Sequence, residues 1–264
     1  MNRWSLSTLL SPFFDPRPTR LARTRLNRAW RAGRPVQVPQ PGIFGAGSGF
    51  VRIAGVNAVQ PDAISCAATG LLLLNAAYDL RLDTWLEQGV APDPLPDELA
   101  GLSAADVAST DPRRRLALAV AAVHRRATAR AIGPFAWPQR LGTPPWTLAR
   151  LARVPGVIYR HRPVADTDAA QMDEVLGMIV EATTQGIPVP LYSGGDLNGG
   201  LANAVPRHMV LALPTDDCTR LRIYEPGHGR IELIEVDQLR HRTAPHRALG
   251  GWTHLVWVLV PLVR

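Results

Sequence analysis

The order of apolar patterns along the chain is the feature that most constrains its fold. Before Gly186 apolar residues recur at helical spacing, most regularly over residues 168–185. After Gly186 the pattern changes to short apolar runs separated by turn residues, which is typical of strands. The predicted strands cover residues 187–192, 208–213, 221–224, 230–236 and 253–260. Helices followed by a mostly antiparallel sheet predict an α+β fold.

Capping signals place further helices before this sheet. Asp111 and Pro112 suit the N-cap and first position of a helix over residues 113–131. A second helix is predicted from Cys66 to about Tyr78, because a polar, turn-prone approach leads into a run with no charge before Asp79. Thr19 to Ala32 has the pattern of a basic amphipathic helix.

The composition is that of a globular protein. The chain has 264 residues, of which 46% are hydrophobic and 19% charged, so it can bury a substantial core. No apolar run reaches membrane-spanning length, and the first 14 residues do not resemble a standard secretory signal. We therefore expect a cytoplasmic location, or export by a route without a standard signal peptide.

The charge is unevenly distributed. All 29 basic residues are arginine, and seven of them fall within residues 17–34, where there is no acid; the other 22 face 22 acidic residues. This asymmetry predicts a basic extension with a Gly/Pro-rich linker over residues 1–50, followed by one domain over 51–264. An anionic partner, either nucleic acid or a membrane surface, is one hypothesis for the arginine-rich segment. The chain contains no dedicated nucleic-acid motif.

Two cysteines, Cys66 and Cys218, are too few for a disulfide framework or a metal site, although a bridge between them stays open. Cys66 alone is explained by a small apolar side chain in a core helix. At the start of a helix, however, free N–H groups and the helix dipole favour a thiolate, which is the nucleophilic form. The choice depends on whether other residues supply a base and its partner.

Those partners stand at the ends of two consecutive strands. His208 begins one predicted strand and Glu225 ends the next. In an antiparallel pair the start of one strand and the end of the next lie at the same end of the sheet. The two side chains are therefore expected to meet beside Cys66. Histidine suits the base because it titrates near neutrality, and a carboxylate can orient it. Gln60, six residues before Cys66, could supply an oxyanion donor together with the Cys66 N–H.

This pattern resembles the papain-like cysteine peptidases, in particular their C39-like branch. The resemblance rests on Gln60 and Cys66, on His208 heading an apolar strand, on Glu225 before a Pro-x turn, and on the run Gly186-Ile187-Pro188-Val189-Pro190-Leu191. It implies a helical part (60–186) packed on a sheet part (187–264). It also implies that Cys66 is the nucleophile, His208 the base, Glu225 the orienting group and Gln60 the oxyanion donor.

The function implied is hydrolysis of a peptide, isopeptide or amide bond through a thioester, with no metal or organic cofactor. The substrate would be a protein, a peptide or a peptidoglycan-like crosslink. Four residues near the glycine-rich loop are predicted to border the cleft: Ser193, Gly194, Asp196 and Asn198. For this loop a plain flexible connection is the alternative.

Two other functions remain open from the residues. The family usually has aspartate or asparagine where Glu225 stands, and this departure motivates a catalytically inactive binding module on the same fold. An acyl transferase of transglutaminase type on the same core is the second alternative.

Overall fold

A computed structural model of the chain describes residues 5–15, 17–33, 41–195 and 206–264. In these ranges, seven strands form one sheet in the order β1-β8-β7-β6-β5-β9-β4, and every neighbouring pair is antiparallel. The strands are β1 (Gly49–Phe50), β2 (Arg52–Ile53), β3 (Val56–Asn57), β4 (Val157–Pro163), β5 (Val189–Gly194), β6 (His208–Leu213), β7 (Arg220–Glu225), β8 (Arg230–Glu235) and β9 (His254–Val263). β2 and β3 pair separately as a small hairpin. The predicted α+β class with a mostly antiparallel sheet is confirmed.

The helices flank this sheet. They are α1 (Leu6–Leu10), α2 (Arg17–Arg31), α3 (Pro41–Phe44), α4 (Cys66–Ala76), α5 (Leu80–Gln88), α6 (Ala104–Val107), α7 (Pro112–Ala129), α8 (Pro145–Leu151), α9 (Ala169–Thr184) and α10 (Val236–Arg240). Asp111 caps α7 as predicted, because its side chain accepts a hydrogen bond from the Arg113 N–H at 3.0 Å. No helix in the described part of the chain combines the length and apolarity needed to cross a bilayer.

Helix α4 is the most deeply buried element. Every residue from Cys66 to Ala76 is buried, which the run Leu71 to Leu74 requires. The helix packs against α7 and β6. Gly70 faces β6 closely: a Cβ at this position would lie 2.8 Å from the sulfur of Met209. The glycine therefore permits the close approach of α4 and β6.

The basic N-terminal helix is part of the core. Ala22 and Leu26 of α2 are fully buried and belong to the same hydrophobic cluster as the sheet, and α2 packs on α9 and β9. Arg23 contacts Glu181 at 3.3 Å, and Arg20 lies 3.8 Å from Glu174. Part of the positive charge predicted to await an external partner is thus balanced within the protein.

The segment predicted as a flexible linker also packs against the sheet. Phe44 is buried, and the Arg222 guanidinium donates hydrogen bonds to the carbonyls of Phe44, Gly45 and Gly47 at 3.1, 2.7 and 3.1 Å. β1 then pairs with β8. The linker prediction is wrong for residues 43–50. No local pattern in the sequence indicates that the backbone carbonyls of this segment are bound by Arg222, which is distant in the chain.

Two histidines that stand beside arginines in the sequence lie in largely desolvated surroundings. His124 on α7 is buried, and burial lowers its pKa. The His161 ring stacks on Trp257 with the ring centroids 5.9 Å apart, and desolvation lowers its pKa as well. Neighbouring arginines in the sequence did not indicate the environment of either imidazole.

Candidate active site

Cys66 is the first residue of α4 and is 6% exposed. It stands where the N–H groups of the first helical turn have no partner within the helix, an arrangement that stabilises a negative charge. Gly70 lies one turn further along α4, and Met209, which it contacts, is next to His208. The close packing of α4 on β6 therefore brings the start of the strand beside the start of the helix.

His208 and Glu225 meet as the strand order predicts. The distance between His208 Nε2 and Glu225 Oε1 is 2.6 Å, across the antiparallel pair β6–β7. The Glu225 carboxylate is 1% exposed, so its extra methylene relative to aspartate is accommodated inside the fold. Since a carboxylate only accepts, the Nε2 proton of His208 is donated to it.

Cys66 is a neighbour of the His208 ring: both residues line one pocket, and the Cys66 side chain contributes to raising the pKa of His208. Because Nε2 is used by Glu225, Nδ1 is the nitrogen available to the sulfur. Burial disfavours the charged ring, but the hydrogen bonds to Cys66 and Glu225, together with their charges, raise the pKa of His208 to about 9. The ring thus holds both protons at neutral pH.

The carboxylate of Glu225 is held by four donors. Oε1 accepts from the Gly227 N–H at 2.7 Å as well as from His208, and Oε2 accepts from the N–H and Nδ1 of His228 at 2.8 and 2.7 Å. Desolvation opposes ionisation, yet these contacts and the charge of His208 lower the pKa of Glu225 to about 2. The group is therefore a fixed anion at all ordinary pH values.

His228 is a residue of this site that the sequence analysis did not identify. Its side chain is exposed, and the turn through Pro226 and Gly227 returns it to the carboxylate three residues earlier. The signal that could have identified it is the spacing Glu225-Pro226-Gly227-His228, since a tight turn places its first and last residues side by side.

A second glycine, Gly250, leaves the space that the His208 ring occupies. Gly250 follows the short 3-10 helix Arg247–Leu249 and has a φ of +65°. A Cβ at Gly250 would overlap Cδ2 of the His208 ring. The adjacent Gly251 has a φ of +79° but no atom within 4 Å of the corresponding position. Only the first of the two glycines is in contact with the imidazole.

Gln60 is joined to the site through its backbone. Its N–H donates to the carbonyl of Pro226 at 2.9 Å, which ties the loop before α4 to the turn after Glu225. The side-chain Nε2 donates to the Asp62 carbonyl at 2.6 Å, and Gln60 does not line the pocket in front of Cys66. The oxyanion role of Gln60 stays a prediction.

Of the four predicted substrate-binding residues, two lie outside the described ranges: Asp196 and Asn198. Ser193 and Gly194 are buried at the end of β5. The Ser193 hydroxyl donates to the Leu249 carbonyl at 2.8 Å. The Ser193 hydroxyl therefore joins β5 to the 3-10 helix, and a substrate contact by Ser193 stays a prediction.

A small pocket opens in front of Cys66, with a volume of about 40 Å³. Residues 140–143 and residues 206–208 both contribute to its lining. Tyr192 also lines the pocket and donates its hydroxyl proton to the carbonyl of Thr143 at 2.9 Å. The described residues that line the pocket are Ala63, Ile64, Cys66, Ala67, Arg140, Leu141, Gly142, Thr143, Tyr192, Pro206, Arg207 and His208.

A second histidine–carboxylate pair lies two strands away. His254 Nδ1 is 3.0 Å from Oδ1 of Asp166, and Arg242 is 3.4 Å from the same carboxylate. All three side chains are less than a tenth exposed. No pattern in the sequence indicates this cluster, because its members come from three separate segments.

Both cysteines are free, so the open question of a bridge between Cys66 and Cys218 is answered for this structure. Within the described ranges, no group of three or more histidine, cysteine or acidic side chains is arranged to hold a metal ion. The pocket presents the thiol of Cys66 and the imidazole of His208, and the Glu225 carboxylate contacts that imidazole.

No protein-family model matches the chain, and a search of curated proteins finds no significantly similar sequence.

Proposed function

We propose that the protein is a cysteine-dependent hydrolase of peptide, isopeptide or amide bonds, with a papain-like arrangement of its site. The observation that carries the proposal is the position of His208 between Cys66 and Glu225. The ring lines the same pocket as Cys66, and its Nε2 donates to Glu225 at 2.6 Å. A histidine held between a thiol and a buried carboxylate is the arrangement that activates a thiol nucleophile.

The reaction would proceed in two stages. The Cys66 sulfur attacks the carbonyl carbon, the C–N bond breaks, and the Nδ1 proton of His208 passes to the leaving amine. Water then attacks the thioester while His208 accepts its proton, the S–C bond breaks, and the acid product leaves as the thiolate is restored. A pKa of about 9 for His208 suits the first stage, because the ring holds its proton at neutral pH.

The length of Glu225 was the reason to consider an inactive module. The 2.6 Å contact between Glu225 and His208 removes that reason, since the longer side chain reaches the ring. The α4 N-terminus beside the sulfur adds the electrostatic support that a thiolate needs.

A library of proteome-derived peptides tests the proposal across many candidate substrates at once. Incubation with the protein should yield new peptide termini detectable by mass spectrometry, and Cys66→Ala should yield none. Added hydroxylamine should divert the acyl group to hydroxamate through the same thioester. Products formed only with an added amine would indicate acyl transfer, and equal background in both proteins would argue for a binding module.

A further inference from the structure

Two arginines from separate segments line the pocket in front of Cys66. Arg140 belongs to the segment of residues 140–143, and Arg207 immediately precedes His208. Both residues are exposed. The backbone N–H of Arg207 donates to the Ser193 carbonyl at 2.9 Å, which fixes where this residue leaves the sheet.

Neither guanidinium has an ion-pair or side-chain hydrogen-bond partner among the described residues. Among the described residues that line the pocket there is no acidic side chain. This differs from other arginines of the protein, such as Arg153, which contacts Asp79, Asp97 and Glu98. Outside residues 17–34 arginines and acids are equal in number, so two arginines that have no acidic partner among the described residues are a local excess of positive charge.

Unpaired guanidinium groups at a binding site recognise carboxylates and phosphates. We propose that the Cys66 pocket takes acyl donors that carry an anionic group, most simply a carboxylate, next to the scissile carbonyl, with Arg140 and Arg207 as its counter-charges. This inference rests on the proposed hydrolase function and names the substrate class of the same site. Arg140 and Arg207 are specificity residues and take no part in bond breaking.

Two alkylating agents of different charge test the field directly. Iodoacetate is an anion and iodoacetamide is its neutral analogue. Both alkylate the thiolate: a sulfur–carbon bond forms as the carbon–iodine bond breaks and iodide leaves. Both rates at Cys66 are proportional to the fraction of the thiol that is ionised, so this fraction cancels in their ratio. The ratio therefore measures how strongly the site attracts the anionic reagent. Mass spectrometry of the Cys66 peptide, in a Cys218→Ser background, separates this thiol from the exposed one.

The iodoacetate-to-iodoacetamide ratio should fall by roughly threefold for each arginine removed and about tenfold in Arg140→Gln/Arg207→Gln, as expected for charges several ångströms apart in a wet site. Arg140→Lys/Arg207→Lys should keep most of the ratio, because the charge is retained. Arg28→Gln, on the exposed face of α2, is the matched control and should leave the ratio unchanged. Added salt should reduce the wild-type ratio toward that of the double variant.

The outcomes separate the two proposals. If Cys66 reacts rapidly with iodoacetamide at pH 6 but the ratio in the double glutamine variant stays within about twofold of wild type, the anionic substrate class is refuted and the hydrolase survives. If iodoacetamide itself reacts no faster than with a free thiol, the hydrolase fails first. Where peptides are cleaved, a Glu-to-Gln change beside the cleaved bond should lower kcat/KM by about tenfold, and this loss should vanish in the double variant.

Discussion

The sheet carries two histidine–carboxylate pairs at the same end of its strands, and the two pairs differ in the residues that surround them. On β5, Ser193 pairs with His208, and the next residue, Gly194, pairs with His254. His208 binds Glu225 at 2.6 Å, and His254 binds Asp166 at 3.0 Å. The distance between imidazole and carboxylate therefore does not distinguish the candidate catalytic pair from the other.

The difference lies in the counter-charges and in access. Asp166 is also contacted by Arg242 and by the Leu255 N–H, so its charge is balanced by a permanent cation. Among the described residues, the basic side chains that contact Glu225 are two histidines, His208 and His228. The anion at Glu225 is thus available to hold a proton on His208, which also faces a pocket and a thiol. A histidine–carboxylate pair indicates catalysis only in such surroundings.

Replacing each histidine in turn should give the largest contrast. In His208→Ala the rate of Cys66 alkylation by iodoacetamide at pH 6 should fall about 100-fold, because an isolated thiol is almost fully protonated there. In His254→Ala the rate should stay within threefold of wild type, while loss of buried hydrogen bonds lowers stability by about 1–3 kcal/mol. Stopped alkylation assays and thermal melts measure both. Equal losses of reactivity would remove the distinction between the pairs.

Removing the charge of Glu225 should weaken the proton affinity of His208. In Glu225→Gln the pKa of His208 should drop well below about 9, and Cys66 alkylation at pH 6 should slow roughly tenfold. Titration of the His208 ring by NMR measures the first effect. Glu98→Gln is the control, since Glu98 is equally buried and contacts Arg153 instead of a histidine. A His208 titration unaltered in Glu225→Gln would contradict this account.

The two neighbouring glycines offer a sharper test of ring placement. Gly250→Ala should displace the His208 ring and slow Cys66 alkylation by about tenfold, because the new Cβ would overlap the imidazole. Gly251→Ala has the same positive φ but an open position, so it should share the backbone strain of about 1 kcal/mol and keep the alkylation rate. Similar rates in the two variants would show that the ring does not depend on Gly250.

The pKa shifts of His208 and Glu225 should make the free energy of unfolding depend on pH. The pKa of His208 is raised from the ordinary value of 6.5 to about 9, so its contribution is present below pH 6.5 and lost as pH rises through 9. The pKa of Glu225 is lowered from 4.5 to about 2, so its contribution is present above pH 4.5 and lost as pH falls toward 2. Urea midpoints should therefore peak between pH 4.5 and 6.5. Glu225→Gln should flatten both flanks, by on the order of 2 kcal/mol.

The meeting of His208 and Glu225 was predictable because it depends on strand order alone. Consecutive antiparallel strands bring the start of β6 and the end of β7 to one edge, whatever packs on the sheet. The start of α4 at Cys66 was predictable for a similar reason, since the turn residues before it and the uncharged run after it are local signals.

The pocket walls were not predictable, because they depend on contacts between distant parts of the chain. Arg140 reaches the site only through packing of residues 140–143 near Tyr192, and no local pattern indicates this. The burial of Ser193 was missed for a different reason. Its place beside a glycine-rich loop suggested exposure, whereas β5 extends to Gly194 and buries its hydroxyl against Leu249.

The pairing of β1 with β8 has a practical consequence for handling the protein. Gly49 and Phe50 cover Ile231 and Arg230 at the end of the sheet order, and the Arg230 guanidinium lies 4.8 Å from the Phe50 ring centre. A shortened chain that began at residue 51 would expose N–H and C=O groups of β8 and uncover the apolar surface beneath α2. Such an open margin invites pairing with other copies of the chain. Expression of the supposed catalytic portion alone should therefore give aggregates, and residues before 51 should be kept in any preparation.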